Sequence, residues 1–97
     1  MKIYLDDERT PWDDTWTLVR WPQEVIELLK TGEVTELSLD HDLGNDDIGT
    51  GYDVVTWIEE AVFIGGFQPP TIKVHSANVS ARVKMEAGIQ SIINRGE

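Results

Sequence analysis

The chain has 97 residues, enough for one hydrophobic core and too few for two, so a single domain over residues 1–97 is expected. It has no cysteine, which excludes disulfides, thiolate metal sites and a cysteine nucleophile; it also has no apolar run near the ~20 residues of a membrane span and no signal-peptide character at its start, so a cytoplasmic, non-membrane protein is expected. The formal net charge of -10 disfavours general nucleic-acid binding, while the same acids are the oxygen ligands a hard cation needs.

In chain order, Lys2 to Leu5 is a β-prone run that stops at the polar stretch Asp6-Asp7-Glu8-Arg9-Thr10-Pro11. Thr15 to Arg20 alternates as a second short strand does. Pro22 pre-sets a helical φ, and Val25, Ile26, Leu28 and Leu29 form an apolar stripe that ends at Lys30-Thr31-Gly32. Val34 to Leu39 reads as a strand running directly into Asp40-His41-Asp42-Leu43-Gly44. After a loop from Asn45 to Gly51, the residues Tyr52, Val54, Val55, Ile58, Ala61 and Val62 recur at helical spacing as far as Gly65-Gly66. Pro69-Pro70 introduces a strand from Thr71 to His75, and Asn78 to Asn94 carries Met85, Ile89, Ile92 and Ile93 on one face of a last helix.

Strands that alternate with helices imply parallel β-α units, whose ligand sites lie beyond the carboxyl ends of the strands. Those ends are Asp6-Asp7, Asp40-His41-Asp42 and His75-Ser76, so three polar clusters converge on one edge of the expected sheet.

The segments Leu5-Asp6-Asp7-Glu8, Leu37-Ser38-Leu39-Asp40 and Val74-His75-Ser76-Ala77 resemble the signatures of a receiver domain of two-component signalling. In that family an acidic pair ends the first strand, a phospho-accepting Asp ends the third, and Ser or Thr ends the fourth. Gly51-Tyr52-Asp53-Val54-Val55 is similar to the opening of the following helix. The segment between the first two strands is short for a receiver's first helix, and the fifth strand with its pocket Lys is missing. Taken together, Leu5 to Pro11, Leu39 to Gly44 and His75 to Asn78 resemble more closely the cyclic-phosphate processing receiver domains encoded by phages and bacteria. The resemblance implies a truncated receiver-like (flavodoxin-like) α/β three-layer sandwich, with a four-stranded, mainly parallel sheet, about three helices and no fifth strand. It also implies metal-assisted hydrolysis or transfer at a cyclic phosphate or cyclic nucleotide. Two other functions stay open: a signalling module in which Asp40 accepts a phosphoryl group, and a phage-encoded acidic interaction or inhibitor module without catalysis.

Asp6, Asp7 and Asp40 would form a carboxylate cradle whose mutual repulsion a divalent cation relieves, Mg²⁺ or Mn²⁺ in the first instance, with Asp42 as a further ligand. Seen alone, Asp6-Asp7 would be turn chemistry before Pro11. His41 and His75, the only histidines, could serve as base and acid across a phosphodiester beside Asp40, could join Asp42 in a transition-metal site, or could merely hydrogen-bond the loops. Arg9 is placed either to fork onto a phosphate oxygen or to pair with Glu8 or Asp13. Ser76 and Asn78 precede the last helix, where they cap free N–H groups or help hold the phosphate of a small ligand. Trp12, Trp16, Trp21 and Trp57 read as packing residues, since no basic groove accompanies them. The open edge of such a sheet calls for a covering helix, a protein partner or a second copy.

Overall fold

The computed structural model describes residues 1–11, 13–43 and 49–95; Trp12, expected to pack, and residues 44–48, expected to form most of a loop, lie outside the described residues. The elements are β1 (Lys2–Leu5), β2 (Trp16–Val19), α1 (Pro22–Leu29), β3 (Glu36–Leu39), α2 (Gly51–Gly65), β4 (Thr71–Val74) and α3 (Val79–Arg95). β1 spans the expected run, β2, β3 and β4 are one or two residues shorter than theirs, and each helix falls where the periodicity places it.

The helix ends follow from local chemistry. Pro22 opens α1 with its φ already helical. Thr50 and Asp53 form a capping box on α2, with the Thr50 hydroxyl accepting from the Tyr52 N–H at 3.2 Å and Asp53 accepting from the Thr50 N–H at 2.9 Å. Gly66, at φ 66°, closes that helix in the left-handed conformation that glycine adopts without strain. Asn78 caps α3 by accepting the Ala81 N–H at 3.1 Å.

All strand pairs are parallel, in the order β2-β1-β3-β4, and this four-stranded sheet with its three helices is the flavodoxin-like receiver fold expected. In register, Ile3 and Leu5 of β1 stand beside Leu37 and Leu39 of β3, all fully buried. Against them pack Val25 and Leu29 of α1, Val54, Val55, Ile58 and Val62 of α2, and Met85 and Ile92 of α3, forming one core. No helix among the described residues is long and apolar enough to cross a membrane.

The layer count differs from the expectation. The helices lie side by side, with α2 touching both α1 and α3, over a single face of the sheet. The structure has two layers where three were expected. The β2-to-β3 and β3-to-β4 crossovers step across the sheet in the same direction, and right-handed crossovers in one direction put their helices on one face. Among the described residues, the β1-to-β2 connection, residues 6–15, contains no helix that could cover the other. That open face carries Lys2, Tyr4, Trp16, Leu18, Glu36, Ser38, Thr71 and Lys73. It is finished with side chains: Lys2 pairs with Glu36 at 3.5 Å and lies over the Trp16 ring, and Tyr4 meets Trp16 edge to face. The outer edge of β4 is unpaired among the described residues.

Candidate metal centre

The parallel ladders continue one residue beyond the strands, and this brings the site together. The Asp6 N–H donates to the Val19 carbonyl at 3.1 Å, the Asp40 N–H to Leu5 at 3.0 Å and the His75 N–H to Leu39 at 2.9 Å. Asp6, Asp40 and His75, far apart in sequence, are therefore neighbours at one rim. Asp7 follows Asp6, and one oxygen from each of Asp6, Asp7 and Asp40 lies within 4.8 Å of the others. A cleft of about 240 Å³ opens over them, lined by Asp6, Asp7, Glu8, Arg9, Asp40, Asp42 and Ala77.

Asp6 is 1% exposed and engaged through both carboxylate oxygens. Its Oδ1 accepts the N–H groups of Glu8 and Arg9, each at 2.9 Å, which is the turn chemistry expected of an Asp at a strand end. Its Oδ2 contacts His75 Nε2 at 3.0 Å. Burial alone would push the Asp6 carboxyl up, but the bonds from Arg9, Glu8 and His75 together hold it below the usual carboxylate range. Asp40 goes the other way: burial first, then the charge of Asp6, push it up against the opposing bonds from the His41 N–H and the Ser76 hydroxyl. The Asp7 carboxylate has no hydrogen-bond partner among the described residues. The turn at Asp6-Asp7 and the cation cradle are thus compatible, because different oxygens serve each.

The remaining residues divide between the cleft and its supports. Arg9 lines the cleft and donates to the His75 carbonyl at 3.4 Å, so among the described residues it pairs with neither Glu8 nor Asp13. Ser76 is 3% exposed; its hydroxyl holds Asp40 and accepts the Asn78 N–H at 3.1 Å. Asn78 is the α3 cap and also reaches Asp42 at 3.5 Å. His41 places Nδ1 2.8 Å from Asp42 Oδ1, with Nε2 unbonded among the described residues. His75 is used at both nitrogens, with Nδ1 2.7 Å from the Ser38 hydroxyl and Nε2 on Asp6, and its ring lies flat on Tyr4 at 4.3 Å. His41, Asp42 and His75 form no shared metal-ligating group among the described residues.

Sequence reasoning passed over Ser38 and Tyr4. The signal was present: Ser38 interrupts Leu37-Ser38-Leu39 at the open-face position, and the buried polar side chains among the described residues are Asp6, Ser38 and Ser76, all of them here. No buried polar side-chain atom among the described residues lacks a partner.

The donor set fits a hard divalent cation: all oxygen, partly desolvated, with one free carboxylate and one made uneasy by its neighbour. Since the Asp6 carboxyl is depressed in the folded state, its contribution to stability is present above its unfolded value of about 3.8 and is lost as pH falls through the lower folded value. In urea unfolding, Asp6→Asn is expected to cost about 2 kcal/mol at pH 7, in the range for charged hydrogen bonds, and distinctly less at pH 3.

Residues 1–91 match the family model of the cyclic-phosphate processing receiver domain. Searches of curated proteins and of solved structures returned no significant match.

Proposed function

Because the chain belongs to the cyclic-phosphate processing receiver family, we propose that it is a divalent-metal-dependent domain that processes phosphoesters, with a cyclic nucleotide or terminal cyclic phosphate as its substrate class. The observation that carries this reading is the carboxylate trio of Asp6, Asp7 and Asp40, within 4.8 Å at the carboxyl ends of two neighbouring strands. Asp6, Asp7 and Asp40 would hold Mg²⁺ or Mn²⁺, with Asp42 at the rim. Such an ion, when bound, supplies the charge that polarises a phosphoryl oxygen.

The chain's own groups do the rest. Arg9, on the cleft wall, forks onto a phosphate oxygen and offsets the surrounding acid. Ser76 and Asn78, where β4 leads into α3, order the approach to the helix N-terminus, where anions are favoured. His41 is the proton carrier: bonded through Nδ1 to Asp42, it keeps Nε2 for an ester oxygen. The β4 edge is the place for a protein partner or second copy.

Phosphorus NMR with 2′,3′-cyclic nucleotides and Mn²⁺ tests this. Loss of the cyclic resonance is expected with wild type, about 10²-fold slower loss or worse with His41→Ala, and none with Asp40→Asn. No turnover by wild type would overturn the reading. A second reading has its own support, since the Ser76 hydroxyl sits on Asp40 as a receiver's hydroxyl sits beside its acceptor. Acetyl phosphate labelling of wild type but not of Asp40→Asn, without ester turnover, would make the protein a signalling module. Function that survives neutralising Asp6, Asp7 and Asp40 would instead favour an acidic interaction module.

A further inference from the structure

We propose that Ser38 and His75 are positioning residues for the metal centre, a relay that fixes the Asp6 carboxylate and never touches substrate; the inference rests on the metal-binding reading above. The geometry is a continuous chain: Ser38 Oγ to His75 Nδ1 at 2.7 Å, and His75 Nε2 to Asp6 Oδ2 at 3.0 Å. Tyr4, stacked on the imidazole at 4.3 Å and 8°, sets the plane of the ring. An imidazole with both nitrogens engaged and one face covered has no free nitrogen for an ester oxygen.

The direction of each bond follows from its partners. An ionised Asp6 can only accept, so Nε2 carries a hydrogen. A neutral ring then accepts at Nδ1, and the Ser38 hydroxyl donates to it. Ser38 is 8% exposed in the middle of a core strand, where a hydroxyl is costly unless bonded, and its bond is to His75. Any influence of Ser38 on the acidic centre therefore passes through His75.

The consequence for Asp6 is a matter of lone pairs. The Glu8 and Arg9 N–H groups occupy Oδ1, and His75 takes one side of Oδ2. What remains is one lone pair of Oδ2, so Asp6 binds a cation through that single oxygen and in one orientation. Outer partners of this kind hold the ligand's orientation at almost no cost when the ion arrives, and losing them typically weakens metal binding 10–100-fold.

Mn²⁺ binding, followed by electron paramagnetic resonance of the free and bound ion, tests the relay in a double-mutant cycle. His75→Phe keeps a ring over Tyr4 and removes both nitrogens; Ser38→Ala removes only the hydroxyl. Binding is expected to weaken roughly 10-fold or more in His75→Phe and a few-fold in Ser38→Ala, with the bound spectrum altered in both. The double variant should be no weaker than His75→Phe, because Ser38 has lost its only route. Independent, multiplying losses would overturn the relay, as would wild-type affinity and an unchanged bound spectrum in both single variants. If His75→Phe does not fold in metal-free melts, His75→Gln takes its place in the cycle. Failure of wild type to bind Mn²⁺ would overturn the metal reading itself and this proposal with it, an outcome distinct from binding that ignores the relay.

Discussion

Saturating Mg²⁺ or Mn²⁺ is expected to raise the melting temperature by roughly 10–20 °C relative to the chelated protein. A ligand that binds only the folded state at 100 times its Kd adds about 2.7 kcal/mol, and 1 kcal/mol shifts a domain of this size by roughly 4–8 °C. The physical source is Asp40. Its carboxyl is pushed up in the folded state, so the native protein holds that proton more tightly than the unfolded chain does. Stability from this group is therefore present below its unfolded value and is lost as pH rises through the folded one; at neutral pH the ionised Asp40 opposes folding. A divalent cation removes that opposition, and so does an uncharged side chain. Asp40→Asn should accordingly melt no lower than wild type in chelator, and higher if the bonds from His41 and Ser76 are kept, while losing the response to metal. Asp7→Asn should lose the response too but leave the chelated melting point almost unchanged, since the Asp7 side chain has no hydrogen-bond partner among the described residues. A metal shift that persists in both variants would place the ion elsewhere.

Much of this centre was legible because two rules suffice for it: apolar period gives the elements, and parallel sheets place their sites at carboxyl ends. Asp6, Asp7 and Asp40 follow from those rules without coordinates. The residues alone left the role of His75 open, because a histidine at a strand end reads the same whether it faces a substrate or leans back on Asp6. Its partner Ser38 depends on the register of β3 against β4, which no local signal specifies.

The missing third layer was legible and was passed over in favour of the family resemblance. Parallel strands covered on both faces read as continuous apolar runs, whereas these strands alternate: Lys2 and Tyr4 against Ile3 and Leu5, Glu36 and Ser38 against Leu37 and Leu39, Thr71 and Lys73 against Ile72 and Val74. That period of two is the mark of a sheet with one helix-free face. The same face supplies Tyr4 and Ser38 to the relay, so an uncovered sheet and an occupied His75 are two consequences of one pattern.

Gly51→Ala is expected to be the most damaging glycine-to-alanine change among the described residues. Gly51 is buried at the first turn of α2, where its N–H donates to the His41 carbonyl at 3.2 Å, and a Cβ there would overlap the carbonyl oxygen of Asp40. Because the obstacle is backbone, no side chain can rotate aside; either α2 lifts from the sheet or Asp40 moves. Overpacking typically costs 1–3 kcal/mol, and a clash with main chain belongs at the upper end, about 3 kcal/mol, or roughly 10–25 °C in Tm. Gly65→Ala in the last turn of the same helix is the matched control, since an added Cβ meets nothing within 4 Å. There the better helix propensity and reduced unfolded-state freedom of Ala should stabilise by about 0.5 kcal/mol. The same chemical change thus carries opposite signs at the two ends of one helix. The damage at Gly51 should also extend beyond stability, because Asp40 is the residue displaced: even at a temperature where Gly51→Ala is fully folded by circular dichroism, Mn²⁺ binding should be weakened, and Gly65→Ala should bind as wild type does. Unimpaired metal binding by folded Gly51→Ala would mean that the docking of α2 on the Asp40 carbonyl does not set the position of the carboxylate.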